Sequence, residues 1–348
     1  SDFVFDFLNG NKALKKFYNS SFDVKNFKKQ LGMKKSFSSS KRNVLVKELL
    51  SQYSDIKDKK VLKNINLLSK ESTFTITTGH QLNILTGPIF FIYKIISVIN
   101  MCVKLKREYP KNNFIPVFWL ASEDHDFEEI SEVYFRDKKI NYLTKLNGSV
   151  GRMKLDEFSV FLDQIFSFFP TNQLAKKIKK IITSAYKDEF TLAKATRNLV
   201  HQLFGDKGLI IIDPDSHNLK KVFASYMEDE LKNNTCQEFV NKTVKSIKEV
   251  YSEKYIPQVN PREINLFHLN VNSRQRIIRK GLKYILSDKN VSQQEMLNEL
   301  NKKPENFSPN VLMRPLYQEV ILPNLCYIGG PSEMSYWLQL KSFFDYHG

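Results

Sequence analysis

The stretch TTGHQLNILTGPIFFIYK, Thr77 to Lys94, decides how the chain is read. It joins a β-branched run, STFTITTGH, to an apolar one, FFIYKIISVINMCVKLKREY. The first reads as a short buried strand ending at Gly79. The second reads as a helix to Tyr109, opened by Gly87-Pro88 with proline at the first helical position, where its missing N–H costs nothing. After Pro110 comes NFIPVFWLA, a second apolar strand ending near Ala121. Strand, helix and strand of these lengths make a βαβ unit and predict a parallel, doubly wound sheet. Ligands of such sheets bind outside the carboxyl ends of the strands, so the polar strand exits are the first candidates for a site.

Working outward, residues 1–70 read as a polar helical segment with apolar residues at i, i+3 and i+4 in KRNVLVKELLSQYSDI. Residues 71–135 hold the βαβ unit, and the simple alternation then stops. Between 136 and 307 the pattern gives a short strand at GRMKLD, several helices, a strand GLIIID stopping at Asp213-Pro214, and extended segments in PQVNPREINLFHLNVNSRQRI. From 308 the rhythm returns: RPLYQEVILP as a helix, NLCYIGG as a strand, and PSEMSYWLQLKSFF as a helix with Pro331 at its start. The reading is one α/β, Rossmann-like core interrupted by a long α+β insertion. A doubly wound sheet normally continues past such a helix, so the chain is expected to be a fragment.

At 348 residues the chain is long enough for a sizeable core and about two domains. Neither a basic leader nor an apolar run of about 18 residues is seen, which points to a cytoplasmic protein without membrane contact. The cysteines, Cys102, Cys236 and Cys326, are far apart, which excludes a thiolate zinc ribbon and fits a reducing compartment. The net charge of +16 raises the possibility of a nucleic-acid binder. Of the 53 basic residues, however, only 10 are arginine, and the lysines are spread over solvated faces such as AKKIKKIITSAYK. Groove readers favour the arginine fork, so nucleic acid is not the expected partner.

Three exits carry candidate chemistry. At the first, Gly79, His80, Gln81 and Asn83, with Gly87 beyond, place a histidine and an asparagine beside a helix N-terminus, an arrangement that suits phosphate or, more plainly, caps backbone groups. At the second, SEDHDFEE gathers five carboxylates around His125. Asp124 and His125 suit acid–base work, with Glu123 and Asp126 beside them, while Ser122 and the acids equally suit a helix start. At the third, Gly329, Gly330 and Glu333 allow close backbone approach, with Trp337 one turn on. Arg314 and Gln318, at i, i+4 spacing before that strand, suit either a bidentate grip on an anion or a structural pair. Phosphate-binding, dinucleotide, zincin and serine-hydrolase motifs are all absent. A metal-assisted hydrolase using Asp124, His125 and Asp126 stands as the alternative enzyme reading.

The blocks TGHQLNILTGPIFFIYKI, FIPVFWLASEDHDFEEI and SPNVLMRPLYQEVILPNLCYIGGPSEMSYWLQLK, in that order and joined by GLIIIDPDSHNLK, resemble the cysteine ligases proposed for bacillithiol biosynthesis, the BshC family. The resemblance implies a core like that of class I aminoacyl-tRNA synthetases and pantothenate synthetase, connective-peptide insertions, and a C-terminal coiled coil, absent here, that makes a homodimer. It implies a last step in which cysteine is joined through its carboxyl group to the amine of glucosaminyl malate, with activation by ATP and no resident metal assigned. His80 and Asn83 stand where the synthetases carry their HIGH motif, of which His-Gln-Leu-Asn keeps the first histidine. Asp124 and His125 would then serve the amines, and Arg314 a malate carboxylate. Gly329, Gly330 and Glu333 would flank the nucleotide or amino acid.

Overall fold

A computed structural model describes residues 2–135, 137–144, 148–252, 255–286 and 289–348. Its centre is a four-stranded, all-parallel sheet made of β1 (Thr73–His80), β2 (Asn113–Leu120), β3 (Ile210–Ile212) and β4 (Asn324–Tyr327). The spatial order is β4-β1-β2-β3. The strands read as continuous apolar or β-branched runs because both faces are covered, and seven of the eight residues of β1 and of β2 are buried. The hydroxyls of Thr75 and Thr77 would be orphaned there. They donate to Oδ1 of Asn324 on β4, at 3.2 and 2.8 Å, so the polar pair also fixes the register of that strand.

Helix α1 (Phe90–Glu108) is the crossover from β1 to β2, with Phe91, Ile95, Val98, Cys102 and Leu105 turned inward at helical spacing. It starts two residues after Pro88, not at it. Leu85, Thr86 and Gly87 have φ of 55°, 81° and 62°, three left-handed residues in succession, and this turn delays the helix. Such strain persists only where the surroundings fix it. Here Leu82 and Ile84 are buried, and the Leu85 N–H donates to the Tyr186 hydroxyl at 3.1 Å.

Helix α2 (His217–Asn233) follows β3, α3 (Arg314–Ile321) precedes β4, and α4 (Pro331–Leu338) follows it. The helix Ser39–Gln52 is anchored by the buried Arg42, whose Nη1 donates to the carbonyls of Leu68 and Thr73 at 2.9 Å each. Strand β3 comes from inside the stretch expected to be insertion, and the Gln52 side chain closes its outer edge by bonding both the N–H and the C=O of Asp213. GRMKLD is not a strand. It forms a 3₁₀ turn at Val150–Arg152 and a single bridge from Lys154 to Thr191, because Gly151 must pack against Ser122, where a Cβ would lie 2.4 Å from the Ser122 Cβ. Residue 136, where the insertion was expected to begin, lies outside the described residues. Beyond α2 the extended segments form the hairpin Leu266–Asn270 and Ser273–Arg276, which folds back toward the second strand exit. Among the described residues no helix is long and apolar enough to cross a membrane.

Candidate functional site

All four strands end on one edge. The chain runs outward from β1 to β2 to β3 and places β4 on the other side of β1, so the topological switch point lies between β1 and β4. His80 ends β1, half-buried, with Nδ1 3.3 Å from the Gln81 carbonyl and its ring 5.4 Å from that of Phe91. A proton on Nδ1 would satisfy that carbonyl, and the Asn83 side chain also bears on the ring. Burial, and then the positive charge of Lys94, lower the His80 pKa, so the ring is uncharged at neutral pH. Asn83 is buried beside it with Oδ1 unpaired. Only glycine fits at 87, since a Cβ would fall 2.5 Å from the Asn83 Cβ.

Across the crevice, Glu333 in the first turn of α4 accepts from the Gly330 N–H at 2.7 Å and from the Tyr327 hydroxyl at 2.6 Å. Lys94 donates to the same carboxylate at 2.7 Å and to the Gly79 carbonyl at 2.6 Å. Burial alone would raise the Glu333 pKa, but Lys94 and the Gly330 N–H outweigh it and hold it low. Trp337 stacks on Tyr327 at 4.7 Å, and the Arg314 guanidinium lies 5.1 Å from the centre of the Tyr327 ring and 5.7 Å from that of Trp119, with its Nη1 on Oε1 of the buried Gln318 at 3.1 Å. Arg314 and Gln318 therefore support the third exit from within the core. A cavity of about 910 Å³ flanks β4 on the side of the N-terminal helices and reaches this exit only at Tyr327 to Pro331, Met334 and Trp337.

The second exit divides. Asp124 and His125 are partly exposed: the His125 N–H donates to Asp124 Oδ1 at 2.8 Å, and His125 Nδ1 is 3.1 Å from Arg274 Nη1. Gln81 reaches over from the first exit, donating to Glu129 at 2.6 Å and to Asp124 at 3.4 Å. Asp126 instead caps the short helix Phe127–Ile130 through the Glu129 N–H. Glu123 turns inward to the fully buried Lys220 at 2.6 Å, which also pairs with Asp215 at 3.0 Å. Arg152 grips Asp215 with two bonds of 2.6 and 2.7 Å, and the Ser122 hydroxyl donates to Asp213 at 2.5 Å. Burial alone would raise Asp215, yet Lys220 and Arg152 hold it at about 2, whereas burial and the charge of Asp215 raise Asp213. Among the described residues no three histidine, cysteine or carboxylate side chains converge as a metal's ligands.

Over residues 1–348 the chain fits the family model described as bacillithiol biosynthesis BshC, N-terminal Rossmann-like domain. The chain belongs to the BshC family. It is 46% identical to a Flavobacterium johnsoniae protein provisionally named cysteine ligase BshC, over 99% of this chain and 65% of that protein. Proteins of the same provisional name from Flavobacterium psychrophilum and Christiangramia forsetii are 44% and 40% identical, over 100% and 98% of this chain. The chain thus spans about 65% of the length of the Flavobacterium relatives it matches.

In this BshC domain the fold gathers His80, Gln81, Asn83, Gly329, Gly330, Glu333, Asp124 and His125 along one edge. Four partners escaped the sequence reading: Lys94, Lys220, Asp215 and Arg274. Lys94 had a signal, a lysine inside the inward stripe Phe91, Ile95, Val98. Asp215 and Lys220 also had one, being polar groups directly after the strand GLIIID. Arg274 had none, because only the hairpin brings it within 3.6 Å of Asp124 from 150 residues away in sequence.

Proposed function

We propose that this chain is the catalytic Rossmann-like part of a ligase that joins the carboxyl group of cysteine to the amine of glucosaminyl malate, the last step of bacillithiol synthesis, with ATP supplying the activation. The observation that carries it is the placement of three polar strand exits on one sheet edge, two of them flanking the switch-point crevice, in a chain of the BshC family. An uncharged His80, able to donate or accept, and the unpaired Oδ1 of Asn83 fit a phosphate-bearing, hydroxyl-bearing group at the first exit. When bound, ATP would turn the cysteine carboxylate into a reactive acyl donor.

The residues of this chain then have separate tasks. His80 places a ring N–H where negative charge grows, and the Asn83 Oδ1 accepts from a hydroxyl of the nucleotide. Gly329 and Gly330 let a ligand approach the backbone beside the Tyr327 and Trp337 rings. Asp124 and His125, open to solvent and linked by Gln81 to the first exit, take the proton that the attacking sugar amine must lose. Arg314 is enclosed by aromatic rings, so we assign the malate carboxylates to the side of Arg274, the guanidinium that borders the second exit.

The test combines the full-length protein with ATP, cysteine and glucosaminyl malate. Bacillithiol formed together with AMP or ADP supports the reading. Product without nucleotide turnover rejects the activation step, and no product at all rejects the ligase.

A further inference from the structure

Among the buried residues of α1, only Lys94 is charged. Burying an ammonium group carries a penalty of several kcal/mol that a partner offsets only in good geometry, and an apolar residue of similar length is often as stable. Stability alone therefore does not account for a lysine in this stripe; its contacts do. The ammonium joins the Gly79 carbonyl, one residue before His80, to Oε2 of Glu333, in the helix turn behind Gly329 and Gly330. One side chain spans the mouth of the crevice between β1 and β4. Just below, the Thr78 hydroxyl ties the same two strands by donating to the Ile328 carbonyl at 2.7 Å.

We infer that Lys94 is a positioning residue that locks the first and third strand exits into one rigid unit across the crevice. Its effect on turnover rests on the ligase reading, whereas its effect on His80 does not. The groups facing His80 are Lys94 from α1, Glu333 from α4, the Asn83 side chain, the Gln81 carbonyl and the Phe91 ring, with the Arg314 charge from α3 acting on Lys94 in turn. Removing the ammonium deletes the positive charge and leaves Glu333 as the charge that faces the imidazole, so His80 gains a proton more readily.

The full chain is prepared with Lys94→Met, Lys94→Arg and Glu333→Gln, and His80 is followed by NMR of ¹³C-labelled histidine, its signal identified by loss in His80→Gln. In Lys94→Met the His80 titration moves up; in Glu333→Gln, which breaks the same tie from the other side and serves if Lys94→Met does not fold, it moves down. With substrates, kcat of Lys94→Met falls about 100-fold while KM stays within about threefold. Lys94→Arg, which keeps the charge and the donors, recovers most of that loss. An unmoved His80 titration, or an equal kcat loss in the Met and Arg variants, overturns the inference. If the wild-type protein forms no amide, the ligase reading fails, and the His80 titration still decides whether Lys94 governs that side chain.

Discussion

At the β1–β4 crevice one lysine, one carboxylate and an uncharged histidine meet in a half-open turn, whereas at the β2–β3 exits the inward-turned Glu123, Asp213 and Asp215 are interlocked with Lys220, Arg197 and, at the exposed rim, Arg152. Both lie on the same edge of the same sheet. The first leaves the buried Oδ1 of Asn83 without a hydrogen-bond partner, while the second binds nearly every charge to an opposite one. A sealed ion network resists rearrangement and so acts as a frame; an under-committed turn beside it can meet a ligand without losing its shape. Acidic residues after a strand are thus ambiguous until their partners are known: of the five in SEDHDFEE, Glu123 belongs to the frame and Asp124 to the open side.

The contrast can be broken most forcefully at Lys220. Lys220→Met leaves Glu123 and Asp215 buried around a missing cation, and should destabilise the fold by about 3–5 kcal/mol, read as the shift in a urea unfolding curve. If the loss is under about 1 kcal/mol, the network is not a frame. The opposite signature belongs to the crevice: His80→Ala should leave the unfolding midpoint nearly unchanged and lower kcat about 100-fold. Unchanged turnover would remove the phosphate role from His80.

The smallest effect separates the two sides by pH. The folded pKa of His80 lies below its ordinary 6.5, so the unfolded chain takes that proton first, and stability begins to fall as pH drops below about 6.5. Asp215 acts later. Its stabilisation, about 2 kcal/mol, is complete above its ordinary 3.8 and is lost as pH falls toward about 2. Glu123 and Asp213, raised by burial, act in the opposite sense and at pH above their ordinary 4.5 and 3.8, so they offset part of the early decline and leave the second step alone. His201 and His347, also lowered by burial, add to the early decline, so urea midpoints measured from pH 7 to 2 should show an early decline that His80→Ala makes shallower and a late one that it leaves alone.

Much of this edge was legible in the chain. Continuous apolar or β-branched runs located β1, β2 and β4, a long apolar run opened by Gly87-Pro88 located α1, and glycine and proline marked where the strands stop. The same signals failed where long-range packing decides. GRMKLD looks like a strand, yet Gly151 is drawn into a turn against Ser122, and GLIIID is a strand whose place in the central sheet no local pattern reveals. For Arg314 the sequence shows the apolar neighbours but not the Trp119 and Tyr327 rings on which its guanidinium lies. Lys94 was passed over for the reverse reason, since one lysine in an amphipathic helix ordinarily points to water.

The polar pair that sets β4 beside β1 joins Thr77 to Asn324, residues 247 apart in sequence. Closing a loop of that length costs about 5 kcal/mol of chain entropy before any contact is made. During synthesis the first exit therefore leaves the ribosome long before the strand that completes its crevice, and waits with half of its wall missing. The crevice closes only when almost the whole domain has been made, so a chain broken off before β4 lacks both the partner of Thr77 and the Glu333 carboxylate that Lys94 holds.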